Sequence, residues 1–392
     1  PLPGVTDPIA KTAMEVLADL GLVPAGAEGY AERLWVEESA AGAPAKLASL
    51  FNPLIERGSV TTTKALWRLS DAEPPKVRLT GEDVGLVLDV DLPDDDDALL
   101  AFSRHGVPGS DGKGRGPLGL QLGDLRAIRK HFAALGRKPT DIEIETLAQT
   151  WSEHCKHRLF NADLAGAEGG LFKTFIAGAT KKVRAARGED DICLSVFSDN
   201  AGGIVFDDDY LVCDKVETHN SPSALDPYGG AMTGIVGVNR DCLGFGQGAQ
   251  PILNRYGFCL PHYDDASMIY RDQAGDSPLP SARRLIDGVI KGIEDGGNQS
   301  GIPTPQGFLM FDDRYRGKPL VFAGTVGLMP RRLPDGRDAT IKGTQPGDAI
   351  IMVGGRVGKD GIHGATFSSV ALDESSPATA VQIGDPITQK RL

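Results

Sequence analysis

Residues 211–248 read LVCDKVETHNSPSALDPYGGAMTGIVGVNRDCLGFGQG. The stretch opens as a strand and closes as a glycine-rich helix. Taken at every second position, Leu211, Cys213, Lys215, Glu217 and His219 fall on one face of a strand, with neighbours about 6–7 Å apart. A cation, a carboxylate and an imidazole in a row suit a pocket for a phosphorylated, metal-bound ligand better than a core. The plainer alternative is a buried polar cluster beside a tight turn. Ser221-Pro222 is expected to end the strand, and Asp226 to Gly230 to form a turn. A helix should follow from Ala231, with Asn239-Arg240-Asp241 near its end. Gly234 and Gly237 inside that helix cost stability, which points to close backbone packing or a ligand.

Downstream, strands are expected over Pro251 to His262 and Leu320 to Leu328, with an amphipathic helix from Ser281 to Glu294. Residues 296–301 read as a polar glycine loop. Ala349 to Val353 reads as a buried strand running into Gly354-Gly355-Arg356-Val357-Gly358-Lys359-Asp360-Gly361-Ile362-His363-Gly364. So many glycines with two cations make a candidate anion cradle, without the spacing of a P-loop. Upstream, Ile192 to Phe197 and Gly203 to Phe206 read as strands. Leu118 to Leu135 carries a helix ended by Gly136 and Pro139. Another helix starts at Thr140, which pairs with Glu143 as a capping box. Its apolar stripe is Ile144, Leu147, Ala148, Trp151 and Cys155, and Glu153, His154 and His157 fall off that stripe. The H-x-x-H spacing lacks the H-E-x-x-H pattern, so zinc is not expected.

The chain has 392 residues, a length that predicts two or three domains. Its net charge of −12 argues against a broad nucleic-acid surface. No apolar run or leader pattern suggests a membrane, so a cytoplasmic location is the default. Five widely spaced cysteines without C-x-x-C predict reduced thiols. In the first 92 residues, a helix over Ile9 to Leu20, a short β-like segment over Arg33 to Glu38, a helix over Ala45 to Leu54 and a strand over Val84 to Val90 suggest a small α+β module. Residues 93–139 read as a linker with a helix, and the acidic run Asp94 to Asp97 as its solvated part. Residues 140–335 form the main α/β unit, and 336–392 begin another. Nothing near Leu392 looks like a domain end, which suggests a piece of a longer protein.

Four ordered motifs then carry a resemblance: W-S-E-H-C, D-K-V-E-T-H-N, G-G-A-M-T-G-I-V-G-V-N-R-D and G-G-R-V-G-K-D-G-I-H-G-A-T. Over about residues 118–392 the chain resembles the synthetase region of phosphoribosylformylglycinamidine synthases. The N-terminal part resembles the small structural subunit of that system. The resemblance implies an α/β fold of the aminoimidazole ribonucleotide synthetase type, with a small α+β domain, a linker and the start of a C-terminal domain around it. It implies an ATP-dependent ligase that turns formylglycinamide ribonucleotide and glutamine-derived ammonia into formylglycinamidine ribonucleotide, ADP and phosphate. By the same pattern His154 and His219 are catalytic, with His219 the proton acceptor. His157 and Lys215 would contact ATP, and Glu217 and Asp241 would bind Mg2+. Thr218, His219, Asn220, Ser221, Arg240 and Gln382 would contact the substrate. The chain departs from the family at His157, where tyrosine is frequent, and at Ser221, where histidine is frequent. No cysteine sits in a nucleophile elbow, so ammonia must come from a glutaminase domain or subunit. The other readings are a non-catalytic assembly module and a different ATPase of the same superfamily.

Overall fold

A computed structural model describes residues 7–36, 56–60, 87–109, 112, 114–164, 166–267, 269, 279–354, 361, 363–368, 372, 381–382 and 384–391. The helix expected over Ala45 to Leu54 and most of the glycine loop after Gly354 lie outside them. The chain divides into two compact units. One combines the N-terminal part to Val77 with Ile192–Asp360 and Val381–Leu392, and the other combines Arg78–Asp191 with Gly361–Ala380.

The first unit is built on a six-stranded sheet in the order β1-β2-β3-β6-β4-β5. Its strands are β1 (Cys193–Ser195), β2 (Gly202–Val205), β3 (Tyr210–Thr218), β4 (Gln250–Leu260), β5 (Gln306–Phe311) and β6 (Leu320–Pro330). β3 pairs with β6 along its whole length, placing Cys213 opposite Gly327, Lys215 opposite Thr325 and Glu217 opposite Ala323. β4 runs antiparallel to β6 and parallel to β5. A parallel neighbour needs a crossover, and the Ala282–Gly296 helix supplies it. That helix packs beside the Pro227–Leu243 helix on one face of the sheet. Between them Ala231, Ile235, Val238, Leu285, Ile286, Val289 and Ile293 bury against Tyr256, Leu260, Val321 and Ala323. The stripe of Leu285, Val289 and Ile293 at spacings of four is what seats the crossover helix, and Ser281 caps it by accepting from Arg284 N at 3.3 Å.

Several expectations change here. The D-P-Y-G-G segment is not a turn. Asn220–Leu225 is a short helix, and Pro227 opens the next one at its first position, where its missing N–H costs nothing. The strand β5 went unread because Gly307 and the flanking prolines and glutamine mask a short apolar run. Ile350, Ile351, Met352 and Val353, expected in a buried strand, are exposed and irregular. No neighbouring strand pairs with them among the described residues, so their apolar side chains have no sheet to join. The segment expected to be β-like after Arg33 is irregular as far as residue 36.

The second unit is helical, with Leu99, Leu118, Leu125, Ile128, Phe132, Ile144 and Ala148 at its centre. The acidic run is solvated, but it also starts a helix. Asp95 accepts from Ala98 N at 2.9 Å and caps Asp96–His105, whose positive end Asp96 and Asp97 occupy. Thr140 and Glu143 form the expected capping box. The helix they open ends earlier than expected. Ser152 adopts an extended ψ of 154°, so Asp141–Trp151 stops and Glu153–Lys156 is a separate single turn. His157 follows with a left-handed φ of 48°, and the Arg158–Asn161 turn comes next.

Candidate active site

The alternation in β3 is as the sequence suggests, up to Glu217. Leu211 and Cys213 are buried under the helices, while Lys215 and Glu217 on the same face are half-buried. One face therefore runs from core to polar pocket floor. Lys215 Nζ lies 3.1 Å from Asp241 Oδ2, which the Pro227–Leu243 helix delivers near its C-terminal end. Arg240, beside it, is exposed. Positive charge near a helix C-terminus is also favourable electrostatically.

His219 departs from the row. The strand ends at Thr218, and His219 leads into the next helix with ψ 66°. Its Nδ1 is 2.5 Å from the Gly230 carbonyl, which can only accept, so Nδ1 carries the proton and Nε2 is the basic position of the neutral ring. Two contacts to its backbone fix it further: His219 N donates to Val321 O at 2.8 Å, and Ser223 Oγ donates to His219 O at 2.6 Å. Gly234 has its reason here. A Cβ at that position would come within 3.0 Å of His219 Cβ. Gly237 has no such neighbour. Asn220 Oδ1 accepts from Val321 N at 2.9 Å, tying the turn to β6. Thr218 is exposed and Ser221 is buried.

Gln382 is also brought to this unit. Its carbonyl accepts from Thr233 Oγ1 at 2.9 Å, and Gly384 N donates to the same hydroxyl at 2.7 Å. Sequence reasoning missed Thr233, and it missed the buried group beneath Lys215. There Thr325 Oγ1 lies 2.7 Å from Asn239 Oδ1 and 2.8 Å from Asn254 Oδ1, and Asn254 Nδ2 donates to Tyr256 OH at 2.9 Å. The only signal was a threonine inside the apolar run LVFAGTVGL. Asp226, fully buried at the start of the helix, is pushed up to about 6 by burial, against the pull of the Gly229 and Tyr228 N–H groups.

The remaining candidates belong to the helical unit. His154 and His157 are both exposed there. Glu153 accepts from Arg158 N at 3.0 Å and Leu159 N at 3.1 Å, holding the turn after His157. Arg158 pairs with Asp124 at 2.7 Å. In the same unit His363 Nδ1 lies 3.8 Å from Glu145 Oε2, and among the described residues neither atom has a hydrogen-bond partner. Burial pushes Glu145 up to about 6 and His363 down.

Among the described residues no group of three or more His, Cys, Asp or Glu could hold a metal by itself. Asp241 pairs with Lys215 and Glu217 lies two residues further along the same strand face, and one or two carboxylates completed by phosphate oxygens are a donor set that magnesium takes. Among the described residues no helix is long and apolar enough to cross a membrane.

Comparison with known proteins follows these two regions. Residues 198–329 match the AIR synthase related protein, N-terminal domain, and residues 112–158 match the formylglycinamide ribonucleotide amidotransferase linker domain. The phosphoribosylformylglycinamidine synthase subunit PurL of Thermoplasma acidophilum is 38% identical over 277 residues, covering 70% of this chain and 32% of that one. The Salinibacter ruber subunit of the same name is 36% identical over 260 residues, covering 66% and 29%. The solved structure of T. maritima PurL complexed with FGAR is 32% identical, with a TM-score of 0.46, covering 68% of this chain and 36% of that one. The chain thus spans about a third of the length of the curated relatives it matches. In class it is an AIR synthase-type α/β domain joined to an amidotransferase linker domain. Over about 70% of its length it is similar to phosphoribosylformylglycinamidine synthase subunits.

Proposed function

We propose that this chain supplies the nucleotide and substrate site for ATP-dependent conversion of formylglycinamide ribonucleotide and ammonia to formylglycinamidine ribonucleotide, ADP and phosphate. The observation that carries the reading is the Lys215–Asp241 pair, with Glu217 on the same strand face and Arg240 beside it. An amide resists attack by ammonia until its oxygen becomes a leaving group. Phosphorylation of that oxygen by ATP gives an iminophosphate. Ammonia then displaces phosphate, and a base must take a proton from the incoming nitrogen.

The task is mostly charge neutralisation and positioning. Lys215 is a compact charge for the ATP phosphates, and Arg240 can grip an oxyanion through two N–H groups. Glu217 and Asp241 would hold Mg2+, which when bound neutralises phosphate charge. Asp241 would then exchange its lysine partner for the ion. His219 is oriented through Nδ1, leaving Nε2 as the proton acceptor. Thr218, Asn220, Ser221 and Gln382 would contact the substrate. By the resemblance, His154 would be a catalytic group and His157 an ATP contact. The required ammonia points to a glutaminase domain or subunit as partner, and the polar chemistry suits a cytoplasmic enzyme.

The test is ADP formation by the full-length protein with Mg2+, ATP and ammonium, with and without formylglycinamide ribonucleotide. ADP that depends on the ribonucleotide is expected. Equal ADP in both reactions would overturn the reading.

A further inference from the structure

We propose that Cys213 and Cys242 form a reversible disulfide, an oxidation site built beneath the Lys215–Asp241 pair and closed by a hydroperoxide. The two thiols come from different elements, β3 and the Pro227–Leu243 helix, and their Sγ atoms are 3.7 Å apart. Both are reduced, and they are 1% and 0% exposed. A disulfide needs about 2.05 Å between sulfurs. Closing the remaining gap draws β3 and the Pro227–Leu243 helix towards each other.

The space is specific to this pair. Gly327 stands opposite Cys213 in the ladder. A Cβ at Gly327 would come within 2.2 Å of Cys242 Sγ and 2.9 Å of Cys213 Sγ. Any other residue there would push the thiols apart. The environment is also asymmetric. The two thiols share one hydrogen bond and the Gly327 N–H adds a second to the Cys213 sulfur, so Cys213 is held below the usual thiol range while Cys242 is pushed up. One sulfur is suited to attack and the other to resolve.

The chemistry balances as follows. The Cys213 thiolate attacks one peroxide oxygen, the O–O bond breaks, and the departing alkoxide or hydroxide takes the Cys213 proton. Cys213 is left as a sulfenic acid. The Cys242 sulfur attacks the Cys213 sulfur, the S–O bond breaks, and hydroxide leaves as water with the Cys242 proton. Two thiols are oxidised by two electrons and one peroxide is reduced. The product ties the strand two residues before Lys215 to the helix residue after Asp241. Drawing these backbones together displaces the pair above them, so the oxidised protein is expected to turn over more slowly. That consequence rests on the function proposed above, whereas disulfide formation does not.

The experiment treats the folded full-length protein with hydrogen peroxide, alkylates remaining thiols in denaturant and maps the peptides. The expected result is a Cys213–Cys242 linked peptide that dithiothreitol releases and that is missing from Cys242→Ala. Oxidation confined to Cys193 or Cys259, with Cys213 and Cys242 fully alkylated, would overturn the site. Turnover should fall in step with the linked peptide and recover with dithiothreitol in the wild type, and peroxide should leave Cys242→Ala at its starting rate. A linked peptide with unchanged turnover would overturn the coupling. Absence of turnover in the reduced protein would instead count against the proposed function, with the peptide map still deciding the disulfide.

Discussion

Lys215 and Asp241 meet at 3.1 Å although 26 positions separate them, because β3 and the end of the Pro227–Leu243 helix converge over Thr325. Both side chains are about a third exposed. A pair that open to water is a weak source of stability, roughly 0–1 kcal/mol. We therefore expect Asp241→Asn to melt within a few degrees of the wild type while ADP formation falls roughly 100-fold or more. Thermal melts and ADP assays on the same samples separate the two effects. A variant that loses stability and activity together would make the pair structural.

The glycines in this region are not equivalent. A Cβ at Gly230 would lie 2.5 Å from Ser223 N and 2.6 Å from Ser223 Cα, both backbone atoms that cannot move aside. At Gly237 nothing stands within 4 Å. Gly230→Ala should destabilise by several kcal/mol, in the range of an overpacked core. Gly237→Ala should stabilise by about 0.5–1 kcal/mol, since alanine favours the helix. Chemical denaturation measures both. If Gly237→Ala gains stability yet loses turnover, a ligand approaches the helix at that point.

Thr325 is the polar centre of an otherwise apolar strand. Thr325→Val keeps the shape but removes the hydroxyl between Asn239 and Asn254, both buried. A buried amide left without its partner costs about 1–3 kcal/mol. Thr325→Ser should recover most of the loss by denaturant titration. A loss in the serine variant with none in the valine variant would assign the role to the methyl group.

Asp226 gives the pH dependence. Burial raises its folded pKa to about 6 from 3.8, so the folded state holds the proton more tightly than the unfolded chain. The associated stability is fully present below about 3.8 and is lost as pH rises through about 6. Asp226→Asn keeps the size and shape of the side chain without the charge. It should gain on the wild type at pH 8, and the gain should shrink towards pH 5. A melting difference that is constant from pH 5 to pH 8 would contradict the burial argument.

Much of this site was legible because its information is local. The alternation Leu211, Cys213, Lys215, Glu217 belongs to one strand, and the capping box at Thr140 and Glu143 belongs to one turn. What was not legible depends on tertiary partners. His219 leaves the row because its ring and backbone are held by Gly230 and Val321. D-P-Y-G-G starts a helix because Pro227 can take the first helical position and the helix then packs on the sheet. The helix with Trp151 breaks at Ser152 although its apolar spacing continues to Cys155, since periodicity does not register an extended ψ. Ile350 to Val353 have a strand's composition, but composition cannot supply the neighbouring strand.

The most direct test follows one oxygen atom. Formylglycinamide ribonucleotide carrying 18O in the amide that becomes the amidine is given to the full-length protein with Mg2+, ATP and ammonium. An iminophosphate route transfers that oxygen to phosphorus, so inorganic phosphate should carry one 18O for each amidine formed, by mass spectrometry. Unlabelled phosphate from a reaction that still makes the amidine would contradict the account.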